Sequence, residues 1–295
     1  MSERPRSGFR LDGVFSVLPT AFRDGGALDL AGTGALVRAA RDARVAGVTA
    51  LGVMGEAAEL TEAERRDVMA CVTGAAGSLP VVVGISGSTA GMVAERAREA
   101  AQAGMAGVMV SPSPSLGLDE AVAAATQGDL PIVIQDYPAG SGVTMTPARI
   151  GAVAAGQPLV IGVKAEAPPT SGSIAALRAT NPGLGLVGGL GGLFLIDELR
   201  AGADGVMTGF ALPERLVAIV ESWRTDPEAA AREWERLLPL MRLEAFQPFS
   251  LAARKEVWRL RGVIDSSHCR RPGARLDDQA RHDVRRALER VTASA

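Results

Sequence analysis

LPVVVGISGSTAGMVAERAREAAQAGMAGVMVSP, residues 79–112, decides how the chain folds. It begins with an unbroken apolar run, Pro80–Gly84, and turns through a Gly/Ser segment. An Ala/Arg/Glu stretch of helical period follows over 88–104, and a second apolar run closes the stretch at Gly107–Val110. Short runs that are apolar at every position suit strands covered on both faces, which is the condition of a parallel sheet. Two such strands joined by a helix make a β/α/β unit, and its strands run parallel. Ala103-Gly104, just before the second strand, suits a helix that stops at a left-handed glycine.

The same alternation extends in both directions. Strands are expected at Gly13–Leu18, Val48–Gly52, Leu130–Gln135, Leu159–Lys164, Gly185–Val187 and Gly205–Met207. Helices are expected near 31–46, 61–76, 118–127, 146–155, 170–180, 193–202 and 212–224. Thr61-Glu62-Ala63-Glu64 reads as a capping box, and Thr146-Pro147 places proline at a first helical position. Ala46-Gly47 and Ala201-Gly202 repeat the helix-stop pattern before a strand. Eight β/α units in about 215 residues match the count and size of a (β/α)8 TIM barrel in the α/β class. An open doubly wound sheet would carry a glycine-rich turn after its first strand, and Leu18-Pro19-Thr20-Ala21-Phe22 is not one. Beyond residue 225 only helical patterns remain, at 227–245, 249–262 and 277–292. Residues 9–225 are therefore read as the barrel and 226–295 as a helical C-terminal domain.

Composition narrows the chemistry. The 295 residues are 47% hydrophobic and 22% charged with a net charge of −2, so neither nucleic acid nor an anionic membrane is an expected partner. The polar, Arg-rich opening MSERPRSGFR does not lead into a signal peptide's apolar stretch. No window reaches the roughly 18 apolar residues of a spanning helix. Cys71 and Cys269 make no disulfide framework, and a cytoplasmic location is the expectation. There are two lysines, two histidines and one tyrosine. Both histidines lie in tail segments, HCRRPGAR and RHDVRR, that read as solvated and charged. A histidine triad or a Cys/His metal site is thus not expected in the body of the chain, and no cofactor is called for. Carboxylates, hydroxyls, Tyr137, backbone groups or a lysine must do the work.

Barrel enzymes gather reactive residues at the C-terminal ends of their strands. Here those ends carry Thr20, the segment Gly52-Val53-Met54-Gly55-Glu56, Ser113, Tyr137, Lys164, Gly189 and Thr208. Lys164 stands out. An ammonium ending the apolar run LVIGV is costly to bury, and burial shifts a lysine toward the neutral amine that attacks carbonyl carbon. The alternative is a lysine that reaches out to pair with Glu166 or Glu56. Arginine serves an ion pair at least as well, and the chain draws nearly all of its 31 basic residues from arginine. Tyr137 ends the neighbouring strand, where a phenol can shuttle the protons of carbinolamine formation, or can simply be a buried tyrosine with one hydrogen-bond partner. Glu56 reads as a base or, more readily, as a carboxylate that orders its loop. Asp136 and Glu166 read as helix-facing or structural groups. Gly188–Gly192 either lets a ligand approach the backbone or relieves crowding; it lacks the GK[ST] of a nucleotide loop.

These residues resemble the dihydrodipicolinate synthase / N-acetylneuraminate lyase family over roughly residues 9–265. The motifs that carry the resemblance are GVFSVLPTAFRD (Gly13–Asp24), GVMGE (Gly52–Glu56, where the family has GTTGE), Tyr137 in QDYP, Lys164 in GVKAE, and ADGVMTGF (Ala203–Phe210). The resemblance implies a Schiff-base enzyme, with Lys164 as the nucleophile and Tyr137 as the proton relay. It implies that the Val53–Glu56 turn holds the carboxylate of a small 2-oxo acid, and that the assembly is a homotetramer built as a dimer of dimers. Two departures bear on the reaction. Val53 and Met54 replace the family's two hydroxyl residues, which leaves backbone N–H groups to bind the carboxylate. The synthase's second tyrosine, and the arginine that follows its tyrosine motif, have no counterpart here. The pattern is closer to the sugar-acid branch, so aldol cleavage or dehydration of a 2-keto-3-deoxy sugar acid is the expected activity. The alternatives are a 4-hydroxy-tetrahydrodipicolinate synthase or a non-catalytic relative that binds a small metabolite.

Overall fold

The computed structural model describes residues 10–245 and 249–293, and several of its helices begin on side-chain caps. Asp29 accepts from the Gly32 N–H to start α1 (Leu30–Asp42), and Thr61 with Glu64 completes the expected capping box of α2 (Glu62–Ala76). Thr89 caps α3 (Ala90–Gln102), and Thr146 caps α6 (Pro147–Gly156) with Pro147 inside its first turn. Each such cap is worth about 1 kcal/mol. The remaining helices of the β/α repeat are α4 (Leu118–Ala125), a single turn α5 (Pro138–Ser141), α7 (Thr170–Thr180), α8 (Leu195–Arg200) and α9 (Pro213–Trp223).

Between them run β1 (Gly13–Val17), β2 (Gly47–Ala50), β3 (Val81–Gly84), β4 (Gly107–Val110), β5 (Ile132–Asp136), β6 (Val160–Ala165), β7 (Gly185–Gly188) and β8 (Gly205–Thr208). They close into a barrel in chain order with parallel neighbours, the (β/α)8 barrel expected, and each strand lies within a residue or two of its expected place. The strands are buried nearly throughout, as their continuous apolar runs require. Gly104 and Gly202 are left-handed helix stops as expected (φ 73° and 97°). The third stop is not at Gly47. Arg44 takes the left-handed conformation instead (φ 58°), so α1 ends earlier than its apolar pattern. The C-terminal helices are α10 (Pro227–Ala245), α11 (Ser250–Leu260) and α12 (Asp278–Ala293).

The described residues gather into two compact units. One contains β3 to β7, residues 205–207 of β8, α3 to α8 and the segment 10–13. Within it, Leu11 fills the space over two strand glycines, because a Cβ on Gly162 or Gly185 would come within 2.4 or 2.8 Å of Leu11 atoms. The other contains residues 14–17 of β1, β2, α1, α2, the turn Leu190–Leu193, Thr208, and α9 to α12. There Trp258 and Phe22 are buried, and the Trp234 indole donates to the Gly192 carbonyl at 2.9 Å. In this second unit the segment from His268 to Ala274 is not the solvated tail its charges suggested. Cys269 is buried, Arg270 pairs with Glu64 at 2.6 Å, and the Arg271 N–H donates to Glu56 at 2.7 Å. A run of charges reads as solvated only when its partners lie nearby in sequence, and these lie some two hundred residues upstream.

Candidate active site

In the first unit, β6 delivers Lys164. Its register partners are Gln135 on β5 and Val187 on β7, so the three side chains share one face of the sheet. Lys164 is only 5% exposed. Its Nζ lies 3.0 Å from Glu166 Oε2, and the Gln135 amide donates to that same oxygen at 2.7 Å. Carboxylate, amide and ammonium therefore offset one another's burial. Glu166 is thus not helix-facing. Alternation turns it away from Ala165 and so toward the side of Lys164, two residues before it. The lysine does pair with Glu166, and a carboxylate one hydrogen bond from an amine is also placed to take its proton.

Gly189 has no side chain because Glu166 occupies that space: a Cβ there would lie 2.3 Å from Glu166 Oε1. Next to it, Gly188 makes room for Glu198 of α8, whose carboxylate would meet a Cβ at 1.7 Å. Both Glu198 oxygens are buried, with the Thr170 hydroxyl beside them. Burial pushes the Glu198 pKa up to about 7 against the pull of the Thr170 hydroxyl, and the charge of Glu166 adds to the rise. Asp136, on the face opposite Gln135, is likewise pushed up to about 6 by burial and by Glu166. Tyr137 follows β5 and packs its ring over Gly140, where a Cβ would lie 2.4 Å from ring carbons. The Ser111 hydroxyl donates to the Gln135 carbonyl at 3.1 Å, while Ser113 turns to Ser115 in its own loop at 3.3 Å.

The second unit holds the turn after β2. Val53–Gly55 forms a 3-10 turn whose Gly55 and Glu56 N–H groups bond back to Gly52 and Val53 at 3.0 and 3.3 Å. The N–H groups of Val53 and Met54, at the start of the turn, stand outside that ladder. Thr20 braces the turn by donating to the Gly55 carbonyl at 2.6 Å. Glu56, left-handed at φ 52°, sends its carboxylate to Lys255 of α11 at 2.5 Å. Its side chain orders the loop, the more ready of the two readings made for it. Met54 packs its side chain against a cluster of Leu251, Ala252, Cys269 and Ala274, and its sulfur also receives the guanidinium of Arg254. Thr208, buried at the end of β8, precedes Gly209, whose backbone lies against the same arginine. Gln135, Arg254 and Lys255 are groups that sequence reasoning passed over, and Glu166 was weighed only as an ion-pair partner of Lys164 or a helix-facing group. For Glu166 the signal was its i+2 spacing from Lys164; Arg254 and Lys255 gave none, being helical residues far along the chain.

The Dihydrodipicolinate synthetase family model matches residues 10–291. L-2-keto-3-deoxyarabonate dehydratase from Azospirillum brasilense is 32% identical over 287 residues, 92% of each chain. Among solved structures, dihydrodipicolinate synthase from Rhodopseudomonas palustris superposes with a TM-score of 0.89 at 36% identity, covering 95% of this chain and 97% of that one. YagE from Escherichia coli K12, solved in complex with pyruvate, superposes with a TM-score of 0.88 at 25% identity, covering 95% and 98%.

Proposed function

Because the chain belongs to the dihydrodipicolinate synthetase family, we propose that it is a lyase which joins Lys164 to a small 2-oxo acid as a Schiff base. The observation that carries this reading is the buried amine at the end of β6 with the Glu166 carboxylate 3.0 Å away. Glu166 takes a proton from the ammonium, and the neutral amine adds to the ketone carbon. Loss of water then leaves a protonated imine, with Tyr137 and Glu166 moving the protons. The imine draws electrons, so a proton can leave C3. In dehydration the hydroxyl on C4 then departs as water; in aldol cleavage the C3 proton stays, the C4 hydroxyl gives up its own proton, and the C3–C4 bond breaks with its electrons passing to the imine. The family resemblance gives the turn after β2 the role of carboxylate binding, through the Val53 and Met54 N–H groups, and Thr20 and Glu56 keep that turn in shape. Ser113, Gly189 and Thr208 complete the set of strand-end residues assigned to the substrate.

Likeness to the Azospirillum dehydratase supports a 2-keto-3-deoxy sugar acid as the substrate class. The Rhodopseudomonas likeness favours the synthase reading instead. That reading is the weaker one, because Tyr137 is the only tyrosine and no arginine follows it in YPAGSGV. The same family reading takes the protein to be a cytoplasmic homotetramer, which sedimentation would test for assembly. The test of the chemistry is to incubate the protein with pyruvate and with 2-keto-3-deoxy sugar acids, add borohydride, and map the mass adduct. An adduct on Lys164 is expected. Folded protein that gives none with any 2-oxo acid refutes the proposal.

A further inference from the structure

Within the unit that carries Lys164, the acids Glu166, Asp136 and Glu198 are all buried, and the lysine chemistry above uses only Glu166. Two consecutive glycines give up their side-chain space to two of these acids. A Cβ on Gly189 would lie 2.3 Å from Glu166 Oε1, and a Cβ on Gly188 would lie 1.7 Å from Glu198 Oε2. Glu166 faces two ways: its Oε2 meets the Lys164 ammonium at 3.0 Å, and its Oε1 lies over the Gly189 position. Neighbouring residues at a strand end face opposite sides, so glycine backbone lies between the two carboxylates. Lys164, Glu166, this bare backbone and Glu198 thus follow one another in space.

Glu198 changes charge near neutrality. Burial pushes its pKa up to about 7; the Thr170 hydroxyl, at the start of α7, pulls against this, and the charges of Glu166 and Asp197 add to it. The other groups around α8 are accounted for. Arg178 of α7 is bound to Asp204 at 2.6 Å and to the Gly202 carbonyl, β7 (GLVG) brings no titratable side chain, and Arg200 of α8 pairs with Asp197. Asp136 of β5 is pushed up to about 6 by burial and by Glu166. A negative charge beside a carboxylate strengthens that carboxylate's hold on a proton. Once Glu198 ionises, Glu166 draws more strongly on the Lys164 proton: an Nζ–H bond breaks, an O–H bond forms on Glu166, and two charges become two neutral groups. Glu198 also attracts the ammonium, which opposes the transfer, but Glu166 stands between them and the nearer charge weighs more.

We propose that Glu198 is a positioning residue that acts through Glu166: its ionised carboxylate drives the Lys164 proton onto Glu166 and so releases the attacking amine. The proposal rests on the Schiff-base reading above for what that amine attacks. It also gives the glycine pair a purpose, because any side chain at Gly188 or Gly189 would displace one of the two carboxylates.

The test is the ratio of parent to Glu198→Gln rates as a function of pH. Glutamine keeps the shape of the side chain but never ionises, and Asp136 is common to both chains, so its titration cancels. Borohydride trapping with pyruvate reads the imine. Carbamylation of Lys164 by cyanate, mapped by mass, reads the free amine whether or not an imine ever forms. In both assays the ratio should be about 1 at acid pH and rise roughly 3- to 10-fold through about pH 7, the size expected of one nearby charge. A ratio that stays flat with pH in either assay overturns the proposal, because a packing role costs the same at every pH. A parent chain that gives no adduct with any 2-oxo acid refutes the Schiff-base reading, and the cyanate ratio then decides the proposal alone. A parent Lys164 that reacts with neither reagent overturns both. If Glu198→Gln does not fold, Thr170→Val takes its place. Without that hydroxyl Glu198 ionises at higher pH, so the rate relative to the parent should dip above about pH 7 and recover further up; no dip overturns the proposal.

Discussion

Replacing Lys255 with methionine should destabilise the protein by about 3–5 kcal/mol, the range for removing one partner of a buried ion pair. Lys255 and Glu56 are both 0% exposed, with Nζ 2.5 Å from Oε1. The ammonium also donates to the His268 carbonyl at 2.8 Å and lies 4.5 Å from the centre of the Phe22 ring. Methionine matches the lysine stem in length, so little cavity forms and the loss is electrostatic. Glu56 would keep one donor, the Arg271 N–H at 2.7 Å, and would be a buried carboxylate with its cation gone. Denaturant titration gives the free energy, and the melting temperature should fall by about 2 °C or more per kcal/mol. Adding Glu56→Gln removes the stranded charge, so the double variant should recover part of the loss. A single variant within about 1 kcal/mol of the parent, or a double variant no better than the single, would refute the view that this pair holds the turn after β2.

Lys164→Arg should abolish both turnover and the borohydride adduct while the far-ultraviolet dichroism is kept; residual adduct at another residue would unseat Lys164. Tyr137→Phe should slow adduct formation by roughly 10²–10⁴, the effect of losing an acid–base group, measured by quenching with borohydride at timed intervals. Gly188→Ala puts a Cβ 1.7 Å from Glu198 Oε2 and should cost about 1–3 kcal/mol, and Glu198→Ala in the same chain should restore most of it; no cost from the single change would contradict the packing. The titration of Glu198 sets a pH slope. Below its ordinary value of 4.5 both folded and unfolded chains hold the proton, and between 4.5 and about 7 only the folded chain does. Stability should therefore fall as pH rises through that window and level off above it, and Glu198→Gln should flatten the decline in denaturant midpoints.

The barrel was legible because a parallel strand shielded on both faces must be apolar at every position, and runs such as VVVG and GVMV say so without help from the rest of the chain. Caps at Thr61 and Thr146 were legible for the same reason: a cap and its N–H lie three residues apart. The site was legible only where a strand end names its residue. Lys164 and Tyr137 become candidates from position alone, and Glu166, already weighed as a partner for Lys164, would have been placed on its side of the strand had alternation been counted from Lys164 rather than from Ala165. Glu56 with Lys255, and Met54 with Arg254, could not be paired from sequence, because about two hundred residues separate the partners and helical period does not say which strand loop a helix faces. The two lysines show how far scarcity can be pressed. Rarity singled out Lys164, on the ground that arginine would do for an ion pair, yet the other lysine, Lys255, is an ion-pair lysine. Its niche between the Glu56 carboxylate, the His268 carbonyl and the Phe22 ring suits a compact ammonium better than a planar guanidinium. Rarity thus marks places where a compact amine is needed, and the surroundings decide what for. Lys255 has both of its oxygen partners and an aromatic face closed around it. Lys164 shares the Glu166 carboxylate with the Gln135 amide, at a strand end, where a barrel presents groups to substrate.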